Sequence, residues 1–129
     1  MFIHYNANPL YKDTDDCTVR AISLFTGKTY DETFIGIVVT GFEIKQVMST
    51  NSTWARYLLR LGYVRTAIPN YCPECYTTRE FCDDHPKGTF LLSTGTHVIT
   101  VIDGDYYDTW DSGNTVPLGY WSERSERSK

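Results

Sequence analysis

Cys17 stands far upstream of His97 and Asp108 in the chain, with Asp111 close behind the last of them. Together these residue types can do thiol chemistry. A thiolate attacks a carbonyl carbon, an imidazole moves the proton near neutral pH, and a carboxylate on the second ring nitrogen holds the tautomer. Cys17 follows Asp15 and Asp16 at the start of a helical pattern, where unpaired amides and the positive end of the helix dipole favour thiolate over thiol. Either aspartate can cap that helix. The two carboxylates oppose the thiolate unless Asp16 is turned into the cap. Without a base nearby, Cys17 reads instead as a small apolar core residue and His97 as a hydrogen-bonded structural histidine.

Which carboxylate meets His97 depends on a turn. The run THVITVIDGDYYDTW contains Asp103-Gly104 between two alternating arms, the pattern of a two-residue type I′ hairpin. In that register Ile102 pairs with Asp105, Ile99 with Asp108 and His97 with Trp110, so Asp108 lies diagonal to His97 on one face. A three-residue turn over Asp103 to Asp105 would bring Asp111 opposite His97 instead. Asp111 also reads as an ordinary turn residue in DSGN.

A second set of chemistry-bearing residues is Cys72, Cys75, Cys82 and His85. Cys72-Pro-Glu-Cys75 is a knuckle that can point two thiolates at one metal, and Cys82 with His85 would complete a tetrahedral Cys3His set for structural zinc. Free thiols, or redox chemistry of the CxxC pair, are the other readings, and His85 also reads as the residue before a helix-ending proline.

The elements that must position these residues follow from periodicity and punctuation. A helix runs from the Asp15 or Asp16 cap to about Phe25, with Thr18, Ala21, Ile22 and Phe25 on its apolar face and Gly27 as the stop. A second starts at Thr29 or Asp31, passes through Phe34, Ile35, Val38 and Val39, and ends near Gly41; a third, capped by Asn51 or Ser52, ends at Gly62. Tyr63 to Ile68 reads as a strand and TREFCDD as a short helix capped by Thr77 or Thr78. From Gly88 the period becomes two, giving strands at Thr89 to Ser93, Val98 to Ile102, Tyr106 to Trp110 and Val116 to Trp121. Helices first and an antiparallel sheet last make an α+β domain.

The chain's 129 residues, 41% of them hydrophobic, suit one domain over residues 1–122, with a cysteine-rich insertion at about 70–86 and a disordered tail over 123–129. A formal charge of -4, without clustered Lys and Arg, argues against nucleic acid and for a protein or peptide partner. No apolar run reaches the roughly 20 residues of a membrane span and no signal segment precedes the domain, so the expected location is the cytoplasm, where thiols stay reduced.

The order Cys17, His97, Asp108, with the cysteine opening a helix and the histidine opening a hairpin, resembles the papain-like cysteine peptidase superfamily. Asp108-Thr109-Trp110 resembles the Asn-Ser-Trp stretch that orients the histidine there. The runs NANPLYKDTDDCTVRAISLFTGKTYDE and HPKGTFLLSTGTHVITVIDGDYYDTWDSG also look like small phage and bacterial proteins described as papain-like or bacteriocin-processing-like peptidases.

The resemblance implies a papain-like fold, N-terminal helices on a C-terminal antiparallel sheet, and a thiol protease, a hydrolase cleaving a peptide or isopeptide bond. It makes Cys17 the nucleophile, His97 the base then acid, Asp108 the orienter and Trp110 a shield. The Cys17 amide would form half of an oxyanion hole. Where that superfamily has a glutamine this chain has Tyr11, and Asn8 or Asn6 supplies the amide instead; Asn8 also reads as the cap of an Asn-Pro turn. The alternative function is a catalytically weak papain-fold binding module of a phage, acting on a host protein in the host cytoplasm.

Overall fold

The computed structural model describes residues 1–10, 16–48, 50–69 and 75–123. Its elements are β1 (Phe2–His4), α1 (Cys17–Thr26), α2 (Tyr30–Ile44), α3 (Asn51–Arg60), β2 (Tyr63–Ala67), α4 (Thr78–Asp84), β3 (Thr89–Ser93), β4 (Val98–Ile102), β5 (Asp105–Asp108) and β6 (Gly119–Glu123). The domain is α+β, with one six-stranded sheet in the order β1-β5-β4-β3-β6-β2.

Local chemistry explains most of these boundaries. Gly27 ends α1 in the left-handed region at φ 76°, a conformation that carries no side-chain penalty for glycine. α2 and α4 each open on a capping box, Thr29 with Glu32 and Thr77 with Glu80. α2 does not stop at Gly41 as its sequence suggests, but runs on to Ile44 with Lys45 as its left-handed C-cap. Gly41 is there for space: a Cβ at that position would sit 2.5 Å from the Gln46 carbonyl oxygen.

The sheet differs from the expected antiparallel one in a single pairing. β1, which periodicity does not reveal, pairs parallel with β5, bringing Phe2 beside Tyr106 and His4 beside Asp108. The last two strands are also displaced: β5 ends at Asp108 and not at Trp110, and the final strand starts at Gly119 and not at Val116.

Both faces of the sheet are covered, which is why β3 and β4 are buried at nearly every position. Leu91, Val98 and Trp121 join Ile22, Ile37, Trp54 and Leu58 in one cluster, so α1, α2 and α3 cover this side. Phe90, Leu92, Ile99, Val101 and Tyr106 point the other way, against Phe81 and Cys82 of α4. The helical part of the segment expected as an insertion is therefore part of the core. Glu123, expected as the first residue of the tail, is instead the last residue of β6, and residues 124–129 lie outside the described residues.

Candidate active site

The hairpin adopts the two-residue register. Ile102 pairs with Asp105, Val101 with Tyr106 and Thr100 with Tyr107. Asp103 (φ 49°) and Gly104 (φ 82°) both have positive φ, as a type I′ turn requires. The Asp103 carboxylate accepts from the Gly88 amide at 2.9 Å, which also uses the side chain at the turn.

This register carries Asp108 to His97. His97 Nε2 lies 2.6 Å from Asp108 Oδ2. The carboxylate also accepts from the Ser112 hydroxyl (2.8 Å) and the Thr109 amide (2.8 Å), and is almost fully buried. It is thus held by three donors in one orientation. The His97 backbone is set by its own turn, where its amide donates to Thr94 Oγ1 at 3.1 Å and its carbonyl accepts from the Thr94 amide at 2.9 Å. Trp110 lies over the imidazole, ring centroids 4.9 Å apart, with half of the indole still exposed. Asp111 is elsewhere: it accepts from the Tyr106 hydroxyl at 2.5 Å and pairs with Arg79.

Cys17 is the first residue of α1, and its side chain is hydrogen-bonded to His97. With Nε2 taken by Asp108, Nδ1 is the ring nitrogen left for the sulfur. Burial alone pushes the Cys17 thiol up, but the His97 hydrogen bond and charge, the Val98 amide and the Thr18 hydroxyl outweigh it and hold the thiol below its ordinary value. For His97, burial opposes the charge, while the bonds and charges of Asp108 and Cys17 raise it to about 9. The two shifts, the thiol downward and the imidazole upward, both favour the thiolate–imidazolium form of the pair.

The residue before the cysteine does not act as expected. Asp16 occupies the N-cap position but makes no side-chain capping bond. Its buried carboxylate pairs with Arg20 and accepts from the Tyr30 hydroxyl (2.8 Å) and the Asn8 side-chain amide (3.0 Å). The negative charge beside Cys17 is neutralised by this pair, not by helix amides. Sequence reading missed Arg20, Tyr30 and Ser112; the only available signal was the i, i+4 spacing of Asp16 and Arg20.

The oxyanion candidates lie just upstream. The Cys17 amide is at a helix position that has no intrahelical acceptor. The Asn8 amide group is turned to Asp16 and, at 3.5 Å, to the Tyr30 hydroxyl. Its carbonyl oxygen accepts from the Leu10 amide (2.9 Å), and Asn6 Oδ1 accepts from the Asn8 amide (3.0 Å), so both asparagines make Asx turns. Tyr11 and Asp15 lie outside the described residues. A narrow crevice beside the thiol is lined by Tyr5, Cys17, Leu24, Tyr107 and Asp108.

No family model, curated protein or solved structure matches the chain. The geometry of the site carries the functional reading.

The cysteine-rich segment is arranged differently from the expected ligand set. Cys75 is disulfide-bonded, and Cys72 lies outside the described residues. Cys82 is a free thiol inside the second core cluster, where burial pushes it up to about 11. His85 stacks on Phe81 with centroids 3.9 Å apart, and its Nδ1 lies 2.8 Å from the Phe81 carbonyl oxygen. Among the described residues no group of three His, Cys, Asp or Glu side chains could hold a metal, and no helix is long and apolar enough to cross a membrane.

Proposed function

We propose that the chain is a thiol-dependent hydrolase acting on a peptide or isopeptide bond. One observation carries the reading: the Cys17 thiol faces an imidazole that lowers its pKa and whose Nε2 lies 2.6 Å from the buried Asp108 carboxylate. In this reading the Cys17 thiolate attacks the carbonyl carbon, and the oxyanion that forms faces the Cys17 amide. The His97 imidazolium gives its proton to the leaving amine as the C–N bond breaks. Water, deprotonated by the same ring, then cleaves the thioester and restores the thiolate. Asp108 holds the tautomer throughout, and Tyr5, Leu24 and Tyr107 would flank the acyl side of the substrate.

A second reading, a binding module of papain-like fold that engages a host protein in the cytoplasm, is favoured by the commitment of the Asn8 amide to Asp16. That bond removes the expected side-chain half of the oxyanion hole. A panel of peptides bearing a carboxy-terminal electrophile separates the two. The hydrolase predicts a stoichiometric adduct on Cys17 that is lost in His97→Ala. Retention of peptide with no adduct above the rate of a free thiol would leave the binding module.

Zinc held by Cys72, Cys75, Cys82 and His85 requires Cys75 as a thiolate, and so the disulfide at Cys75 reduced. Metal content after purification with reductant tests it, and less than about half an equivalent removes zinc from the reading.

A further inference from the structure

α2 packs the wrong way round for an ordinary amphipathic helix. Its inward face carries Thr33, Gly36, Ile37, Thr40 and Gly41, buried or nearly so. Space dictates these residues: a Cβ on Gly36 would sit 2.4 Å from Tyr57 Cε1 of α3. The larger apolar side chains, Phe34, Ile35, Val38, Val39 and Phe42, face outward, with Ile35 62% and Phe42 73% exposed. They form a contiguous apolar patch on the order of 500 Å², at the upper end of what a monomer exposes.

The order of residues along this stripe says what covers it. Asp31, Ile35, Val38, Phe42 and Lys45, all exposed, follow one another at spacings of four, three, four and three, the repeat of a helix-to-helix seam. The seam is apolar in the middle, acidic at its first position and basic at its last. Lys45 Nζ lies 4.2 Å above the Phe42 ring, so the cation sits on the stripe.

We propose that two copies of the chain associate through α2, antiparallel, about a two-fold axis passing near Val38. In that arrangement Asp31 of each copy meets Lys45 of the other, Ile35 meets Phe42, and Val38 meets itself. A parallel arrangement would set Asp31 against Asp31 and Lys45 against Lys45. The seam is therefore complementary to itself in one direction only. An anionic lipid surface is a poorer occupant, since Lys45 is the single cation on the stripe and Asp31 shares its face. Burying the patch on both copies gives about 1,000 Å², the lower limit for a specific interface, so the dimer is a weak one with Kd in the micromolar range.

Sedimentation equilibrium of the full chain up to about 500 µM tests this. The wild type should show reversible dimerisation, and Val38→Lys should be monomeric with an unchanged circular dichroism spectrum. Ile35→Lys serves as the second variant if Val38→Lys does not fold. Asp31→Lys and Lys45→Asp should each weaken the dimer by at least about tenfold, and the double swap should restore it. A monomeric wild type overturns the proposal, as does a dimer indifferent to Val38→Lys. Failure of the double swap to restore affinity overturns the antiparallel pairing. A wild type that stays monomeric but floats with phosphatidylcholine vesicles, and no longer does so as Val38→Lys, assigns the stripe to lipid instead.

Discussion

The Thr100 hydroxyl of β4 donates a 2.6 Å hydrogen bond to the Ala21 carbonyl of α1, in a site closed to solvent. This bond ties the helix that begins with Cys17 to the strand entered through His97. It sets how far α1 can slide along β4, and hence the distance between sulfur and imidazole. Thr100→Val keeps the shape and removes the donor, leaving the Ala21 carbonyl with its intrahelical bond alone. Expected is a loss of about 0.5–1.5 kcal/mol in denaturant unfolding. In the still-folded protein, alkylation of Cys17 should slow, and Thr100→Ser should recover most of both. Unchanged alkylation in folded Thr100→Val would show that packing alone sets the helix height.

The charges of the site define a pH window. The Cys17 thiol lies below its ordinary value and His97 is raised to about 9, so thiolate and imidazolium coexist up to about pH 9. Turnover should fall on the alkaline side near that value as the proton donor is lost. His97→Ala leaves burial unopposed by its main counterweight, so the thiol moves up and iodoacetamide labelling at pH 7 should drop at least about tenfold. For stability the sign follows from His97 alone in Cys17→Ser, where Asp108 remains the raising partner. A raised imidazolium stabilises fully below its unfolded value of 6.5, and that contribution is lost as pH rises through the folded value. Urea unfolding of Cys17→Ser between pH 6 and 9 should therefore show declining stability. A flat profile contradicts the His97–Asp108 pair.

Ser112 is a positioning residue for the carboxylate, not for the substrate. Its hydroxyl donates to the same Asp108 oxygen that faces His97. Ser112→Ala should cost about 1–2 kcal/mol and reduce turnover only several-fold, because the Thr109 amide and His97 still orient the carboxylate. Asp108→Asn should keep the fold and lower kcat on the order of 10³–10⁴-fold, since an amide can donate to the ring and favour the wrong tautomer. Equal effects of the two changes would place Asp108 in a purely structural role.

The Asp103-Gly104 turn sets the register that delivers Asp108. Gly104→Val places a β-branched side chain at φ 82°, with Cβ 3.4 Å from the Cys82 carbonyl oxygen. The strain should cost about 1–3 kcal/mol. Activity should fall with the folded fraction if the register holds, and beyond it if the hairpin slips. Nuclear Overhauser contacts between Val101 and Tyr106 distinguish these outcomes.

The parts of the site that were readable from sequence are those set by local chemistry. Asp-Gly dictates a turn, the turn dictates a register, and the register selects Asp108 over Asp111. Thr29 and Thr77 announce their helices through capping boxes. What was hidden depends on distant partners. β1 is three residues long and becomes a strand only because β5 lies beside it. Asp16 looks like a cap until Arg20 and Tyr30 are folded around it, and Ser112 looks like a turn residue until Asp108 reaches it. Gly41 reads as a stop, yet the close approach of the Gln46 carbonyl makes it a spacer. No periodicity encodes the meeting of Cys17 with His97; the packing of α1 on β4 creates it.

The parallel pairing of β1 with β5 places the site late in the order of folding. β5 carries Asp108 and takes Phe2 to His4 as its neighbour from the far side of the sequence, and the Tyr5 amide closes the same ladder on the Asp108 carbonyl. Contacts between such distant segments carry the largest loop-closure cost and tend to form last. Until they do, the strand that carries Asp108 lacks its outer neighbour. A nascent or partly folded chain thus holds the carboxylate that orients His97 less firmly, and the full set of Cys17, His97 and Asp108 is fixed only when the N-terminal strand has docked.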